Sequence, residues 1–298
     1  MTTNNATPWS DALLHKLQRL DAQFAQRMRV LPDGAQLALR ERPAAGRPAL
    51  TVVLLHGISS SAASWLDVAL ALPRDWRVLA WDAPGYGAST ALPQSHPSDT
   101  DYAARLAAWL AADVQGPVVL VGHSLGALMA SACAAEAPPP QLAGLLLLSP
   151  AGGYGAQDAA AREKVRSERN AVLDTLGVAG LAQRIDQRLL SPGADALARD
   201  WVRWSTSRLQ ASGYRQAVNM LCDSDLGRHA PLALPLRIAC GEHDVVTPPA
   251  ACRGWAEAWQ RPFASIADAG HASPVENARA VTEWIEDSVS DFEPGLPQ

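Results

Sequence analysis

From residue 50 onward the chain alternates between short apolar runs and longer amphipathic stretches. The short runs are Leu50-Thr-Val-Val-Leu-Leu55, Trp76-Arg-Val-Leu-Ala-Trp81, Val118-Val-Leu-Val121, Leu142-Ala-Gly-Leu-Leu-Leu-Leu148, Leu234-Pro-Leu-Arg-Ile-Ala-Cys240 and Phe263-Ala-Ser-Ile-Ala267. Short apolar runs of this kind, bounded by turn residues, predict strands buried on both faces. Between them, Ser64 to Leu72, Asp99 to Val114, Ala127 to Glu136, residues 249–260 and Val275 to Val289 carry helical spacing or propensity. Strand and helix in alternation predict an α/β fold: a mostly parallel sheet with helices on both faces.

Two regions depart from that rhythm. Residues 9–29 predict a helix, with Ser10 as cap and Leu13, Leu17, Leu20, Phe24 and Met28 recurring at steps of three and four. It is read as packing on the core, with a homodimer contact or a lid as alternatives. Residues 30–42 read as strand material broken by a Pro32-Asp33-Gly34 turn. The second departure begins at Pro150-Ala-Gly-Gly153. From 156 to 228 the patterns are mostly helical, and Trp201 and Trp204 lie three apart on one predicted helix. The expected plan is an N-terminal helical extension over 1–30, a core built from 31–152 and 231–298, and a helical insertion over 153–230. The tail from Phe292 to Gln298 is expected to fray.

Chemistry enters at Gly122-His-Ser-Leu-Gly126, which joins the apolar run at 118 to the helical stretch that follows. Strand, G-x-S-x-G and helix in that order hold a serine on a sharp turn with its Oγ exposed. Side chains two before and two after Ser124 are expected to collide, so both places want glycine. A nucleophilic serine needs a base, and the base an orienting acid. In a parallel sheet both belong on loops at the carboxyl edge of later strands. Gly241-Glu-His-Asp244 and Asp268-Ala-Gly-His271 follow the last two strands, making Asp244 and His271 the natural acid and base, with Glu242 a less well placed acid. His15 and His96 are expected to be solvated. His56 is expected to tie down its own loop, His243 to point away from Asp244, and His123 to diverge from the serine at the turn. Asp82, in Asp82-Ala-Pro-Gly-Tyr-Gly-Ala-Ser89, is read as fixing its turn. The backbone N–H groups of Ile58 and Leu125 are the expected oxyanion donors.

Composition narrows the function without choosing it. Over 298 residues the chain is 48% apolar and 18% charged, with a net charge of −5. That balance offers no electrostatic footprint for nucleic acid or for an anionic membrane. No apolar run has the length of a membrane span, and the first residues lack the pattern of a signal peptide. Cys133, Cys222, Cys240 and Cys252 show no C-x-x-C spacing, so buried free thiols in a reducing, cytoplasmic setting are expected, with no metal site.

Taken together, His56-Gly57, the Asp82 to Ser89 turn, Gly122 to Gly126, Gly241 to Asp244 and Gly270-His271 resemble the α/β-hydrolase superfamily in order and spacing over residues 50–285. The resemblance implies an eight-stranded core sheet, a helical cap inserted after the sixth strand and a catalytic triad of Ser124, Asp244 and His271. It implies a serine hydrolase acting through an acyl-enzyme on a small or medium ester, lactone or thioester, with no cofactor. A carbon–carbon bond hydrolase of ring-cleavage products is the alternative. Such enzymes usually carry a Gly-rich loop after His-Gly and a Trp soon after the catalytic His. This chain has Ile58-Ser-Ser-Ser-Ala-Ala63 and Ala272-Ser-Pro274 there. A ligand receptor on the same fold is the alternative from a different class. Trp201, Trp204 and Tyr214 are the candidate substrate contacts, with packing inside the cap as the competing role.

Overall fold

The computed structural model describes residues 9–136 and 138–292. The expectations for the first residues and for the tail beyond Phe292 lie outside the described residues. The chain opens with α1 (Asp11–Gln23), β1 (Gln26–Val30), β2 (Gln36–Arg42) and β3 (Leu50–Leu55), followed by α2 (Leu66–Ala71) and β4 (Trp76–Trp81). Next come α3 (Asp99–Asp113), β5 (Val118–His123), α4 (Leu125–Glu136) and β6 (Leu142–Leu148). Four consecutive helices follow: α5 (Ala159–Ala182), α6 (Asp186–Leu189), α7 (Ala196–Ser207) and α8 (Ala211–Asp223). The last elements are β7 (Leu236–Gly241), α9 (Pro249–Ala258), β8 (Phe263–Ile266), α10 (Ser273–Glu276) and α11 (Ala278–Phe292).

All eight strands form one sheet in the order β1-β2-β4-β3-β5-β6-β7-β8. The β1–β2 and β2–β4 pairs are antiparallel and the other pairs parallel. The two-residue alternation of strands assigns each side chain to a face. Val53, Leu55, Leu120, Leu145 and Leu147 meet α3, α4 and α9 on one face. Val52, Leu54, Val121, Leu146 and Leu148 meet α1, α2 and α11 on the other. Both faces are dry, which is why these runs are apolar throughout rather than alternating. Polar residues mark the helix starts: Ser98 and Asp101 form a capping box on α3, and Asp158 and Asp195 cap α5 and α7.

The N-terminal segment differs from its expected extent. The helix ends at Gln23, and residues 26–30 pair with β2 as an edge strand of the main sheet. Met28 continues the helical spacing only by coincidence and stands on that exposed edge. The β7 strand likewise begins after Pro235, not at Leu234, as expected of a residue without a backbone N–H. The single helix expected from Val275 is split at Asn277 into α10 and α11.

Trp201 is in the core, 1% exposed, in the cluster that also holds Leu13 and Leu20 of α1 and the Phe24 that follows it. The ammonium of Lys16 sits 4.6 Å from its ring centroid. Trp204 stacks at a tilt on Trp201, and the Arg208 guanidinium carbon lies over its ring, 5.3 Å from the centroid. Trp201→Ala is therefore expected to act on stability, lowering it by about 3–5 kcal/mol. Urea denaturation checks this; a loss below about 1 kcal/mol contradicts the packing role.

Candidate active site

The site begins with crowding at the turn between β5 and α4. Ser124 has φ +54°, a left-handed backbone that a non-glycine residue rarely adopts. A Cβ on Gly122 would lie 2.6 Å from the Gly126 carbonyl oxygen and 2.7 Å from Ala127 Cα. A Cβ on Gly126 would lie 2.5 Å from the Leu55 carbonyl oxygen. The glycines thus serve two different approaches. One lets α4 fold back on its own strand, and the other lets α4 press against the end of β3. Crowding within the turn accounts for Gly122, whereas at Gly126 the neighbouring strand is the obstacle.

Three residues from three loops meet at this turn. His271 Nε2 lies 2.9 Å from Ser124 Oγ. His271 Nδ1 lies 2.8 Å from Asp244 Oδ2. A carboxylate accepts, so Nδ1 carries the proton and Nε2 is left to accept from the serine hydroxyl. All three side chains are buried. Asp244 Oδ1 accepts from the N–H groups of Val246 and Thr247 at 2.8 and 2.9 Å, and the Thr247 hydroxyl lies 2.9 Å from Oδ2. Burial alone would raise the Asp244 pKa. The hydrogen bond and charge of His271, with the Thr247 N–H, overcome it and hold the carboxyl down at about 2.

His123 contributes in a way the sequence did not reveal. Its Nε2 donates to the backbone carbonyl of His271 at 2.7 Å, and its ring packs edge-on to Trp65. Burial, helped by the neighbouring His271, drives its pKa down to about 3, so it stays a neutral donor. His56 donates from Nδ1 to the Gly57 carbonyl and accepts the Ala83 N–H at Nε2. Asp82 Oδ1 accepts the Ala62 N–H, which joins the loops after β3 and β4. Thr247, three residues after Asp244, is a local turn partner that spacing alone can suggest. Glu276 has no such signal. Its carboxylate accepts from Gly270 N–H and, across the molecule, from Ser191 N–H.

The Ile58 and Leu125 N–H groups both adjoin the serine. A Cβ on Gly57 would touch Ser124 Cβ at 3.0 Å, and Leu125 opens α4, where first-turn N–H groups have no intrahelical acceptor. Neither N–H is spent on a backbone acceptor among the described residues.

Ser124, His271, Ile58 and Leu125 line a cavity of about 600 Å³ roofed by α5, α6 and α8. Tyr214 lines it, as do Tyr154, Leu181, Ile185, Leu189 and Trp255. Trp201 and Trp204 do not. Trp201 points into the core, and Trp204 borders a separate depression with Arg40 and Arg208. Their three-residue spacing put both on one face of α7, but that face turns toward α1 and not toward the serine. Among the described residues one cluster has metal-ligand spacing, Glu242, His243 and Asp268, exposed and outside this cavity. No helix of the described residues is long and apolar enough to cross a membrane.

The low Asp244 pKa carries a sign. A carboxyl depressed in the folded state contributes stability above its unfolded pKa, and that stability is lost as the pH falls through about 2. Between about pH 4 and pH 2 the wild type is expected to lose about 2 kcal/mol that Asp244→Asn does not. Urea curves for both proteins across that window check it; equal losses contradict the arrangement.

With the geometry in place, comparison with known proteins supplies the lineage. A model of the alpha/beta hydrolase family matches residues 52–284. The chain is 30% identical over 264 residues to 2-succinyl-6-hydroxy-2,4-cyclohexadiene-1-carboxylate synthase of Pectobacterium atrosepticum, covering 80% of this chain and 95% of that protein. It is 31% identical over 214 residues to pimeloyl-[acyl-carrier protein] methyl ester esterase of Chromobacterium violaceum, covering 69% and 80%. The crystal structure of an enol-lactonase from Burkholderia xenovorans LB400 superposes with a TM-score of 0.78 at 22% identity, covering 89% of this chain and 100% of that one. That last likeness concerns the fold. The chain belongs to the alpha/beta hydrolase family, and hydrolase chemistry is the activity its relatives support.

Proposed function

We propose that this protein is a serine hydrolase of carboxylesterase type, cleaving a small or medium ester, lactone or thioester through an acyl-enzyme on Ser124. The observation that carries the reading is the unbroken chain from Ser124 Oγ through His271 to Asp244, at 2.9 and 2.8 Å, opening on the 600 Å³ cavity. In this mechanism His271 Nε2 takes the hydroxyl proton as Oγ attacks the carbonyl carbon. The Ile58 and Leu125 N–H groups receive the oxyanion, and the positive end of α4 adds to their field. Asp244 holds the imidazole tautomer and stabilises the imidazolium. His271 then passes the proton to the leaving group, and water, deprotonated by the same nitrogen, releases the acid. Helices α5 to α8 act as a cap that keeps bulk water from the acyl-enzyme.

The activities named for the relatives differ from one another, so the substrate does not transfer with the family. Turnover of p-nitrophenyl acetate, butyrate and octanoate by wild type and Ser124→Ala tests the reading. A loss of roughly 10⁴-fold or more is expected in the variant, together with wild-type labelling by a fluorophosphonate. Retained turnover in Ser124→Ala, or no labelling of the wild type, overturns it.

A further inference from the structure

The cavity wall carries charge that the proposed acyl transfer does not use. Along α5, Val165, Glu168, Arg169 and Val172 face the cavity at steps of three and four, and Arg188 of α6, an exposed residue, lines it too. Among the described residues no carboxylate lies within 4.0 Å of either arginine's guanidinium nitrogens, whereas the acidic groups around them are committed elsewhere. Asp186, on the same turn of helix as Arg188, is held by Arg203 at 2.8 Å and Arg199 at 3.6 Å. Asp223 takes Arg162 and Arg166, Glu163 takes Arg166, and Asp174 takes Arg215. Glu168, the one carboxylate on the cavity wall, reaches only Lys164, at 4.0 Å on the outer surface. A chain of net charge −5 therefore presents two unpaired guanidinium groups against one carboxylate in this cavity.

Position and surroundings indicate what these groups can bind. The Leu189 carbonyl, one residue from Arg188, accepts the Ala272 N–H, one residue from His271, so the backbone of α6 is moored beside the candidate base. Much of the remaining lining is apolar, with Leu181, Ile185, Leu189, Leu221, Val246 and Trp255. Apolar walls exclude water and strengthen a charge pair formed beside them. A guanidinium fork matches a carboxylate in two parallel hydrogen bonds.

We infer that the cavity selects esters carrying a carboxylate at the end of an apolar spacer, such as the hemiester of a dicarboxylic acid, with Arg169 and Arg188 binding the carboxylate while Ser124 attacks the ester. This rests on the serine hydrolase reading for the reaction, but the recognition itself can be read without turnover.

The test compares p-nitrophenyl hemiesters of C4, C6 and C8 dicarboxylic acids with the same compounds capped as methyl esters, at pH 7.5. The wild type is expected to favour the charged partner at one chain length by tenfold or more in kcat/KM. Arg169→Gln and Arg188→Gln are each expected to cut that ratio about tenfold, the effect of roughly one charge-assisted hydrogen bond. Glu168→Gln is expected to raise it, and 0.5 M sodium chloride to lower it. A wild-type ratio near one, or one the arginine variants leave in place, overturns the inference while Ser124-dependent turnover of neutral esters keeps the hydrolase reading. If neither ester is turned over, the hydrolase reading fails separately, and calorimetric titration of Ser124→Ala with monomethyl adipate and monomethyl suberate decides. Binding weakened about tenfold by Arg188→Gln supports the carboxylate site, and no binding overturns it.

Discussion

Ser124 stands in a left-handed backbone because the chain must reverse from the end of β5 into α4 within one residue, and two backbone approaches close to 2.5 Å from any added Cβ leave no other path. The rest of the site is measured from that turn. Because α4 starts there, the Leu125 N–H, which has no backbone acceptor among the described residues, stands next to the serine. Because α4 also presses on the end of β3, the Gly57 backbone is brought against Ser124, where an added Cβ would lie 3.0 Å from the serine Cβ. The glycines at 122 and 126 are thus requirements of the sheet's geometry first and of the chemistry second.

The loop that carries His271 is shared between the sheet and the helices above it. From below, His123 donates to the His271 carbonyl. From above, Leu189 accepts the Ala272 N–H, and Glu276 bridges Gly270 to Ser191. A Cβ on Gly270 would lie 2.6 Å from Ser191 N, so the segment after α6 lies directly on this loop. Thr206 donates to the Ser59 carbonyl, and Asn219 to the Ser95 carbonyl, tying α7 and α8 to the loops after β3 and β4. Displacing the helical roof would therefore disturb the histidine, a coupling that few of the individual residues advertise.

Much of the architecture was legible as pattern. Buried parallel strands are dry on both faces, so β3, β5 and β6 appear as predominantly apolar runs without polar alternation. The loops after β5, β7 and β8 carry Ser124, Asp244 and His271, and a parallel sheet necessarily delivers those loops to one edge. Legibility failed where two patterns coincide or where nothing local marks a role. Met28 fits a helical period and an edge strand equally well, and pairing with β2 decided between them. His123 beside the serine gave no sign that its ring would hold the backbone of a residue 148 positions away.

Sequence by itself determined the parallel strands of the sheet, the chain order of the candidate nucleophile, acid and base, and the tight turn at Ser124. These follow from local constraints: strand burial, the steric demand of a turn, and the position of loops relative to strands. Tertiary structure alone decided what faces the serine. Aromatic residues three apart on α7 turned inward to α1, while Trp255, a residue of α9, came to line the cavity. It also decided which arginines found acids and which were left over. Helix rotation and long-range ion pairing depend on how whole elements pack, and no spacing within α5, α6 or α7 contains that information.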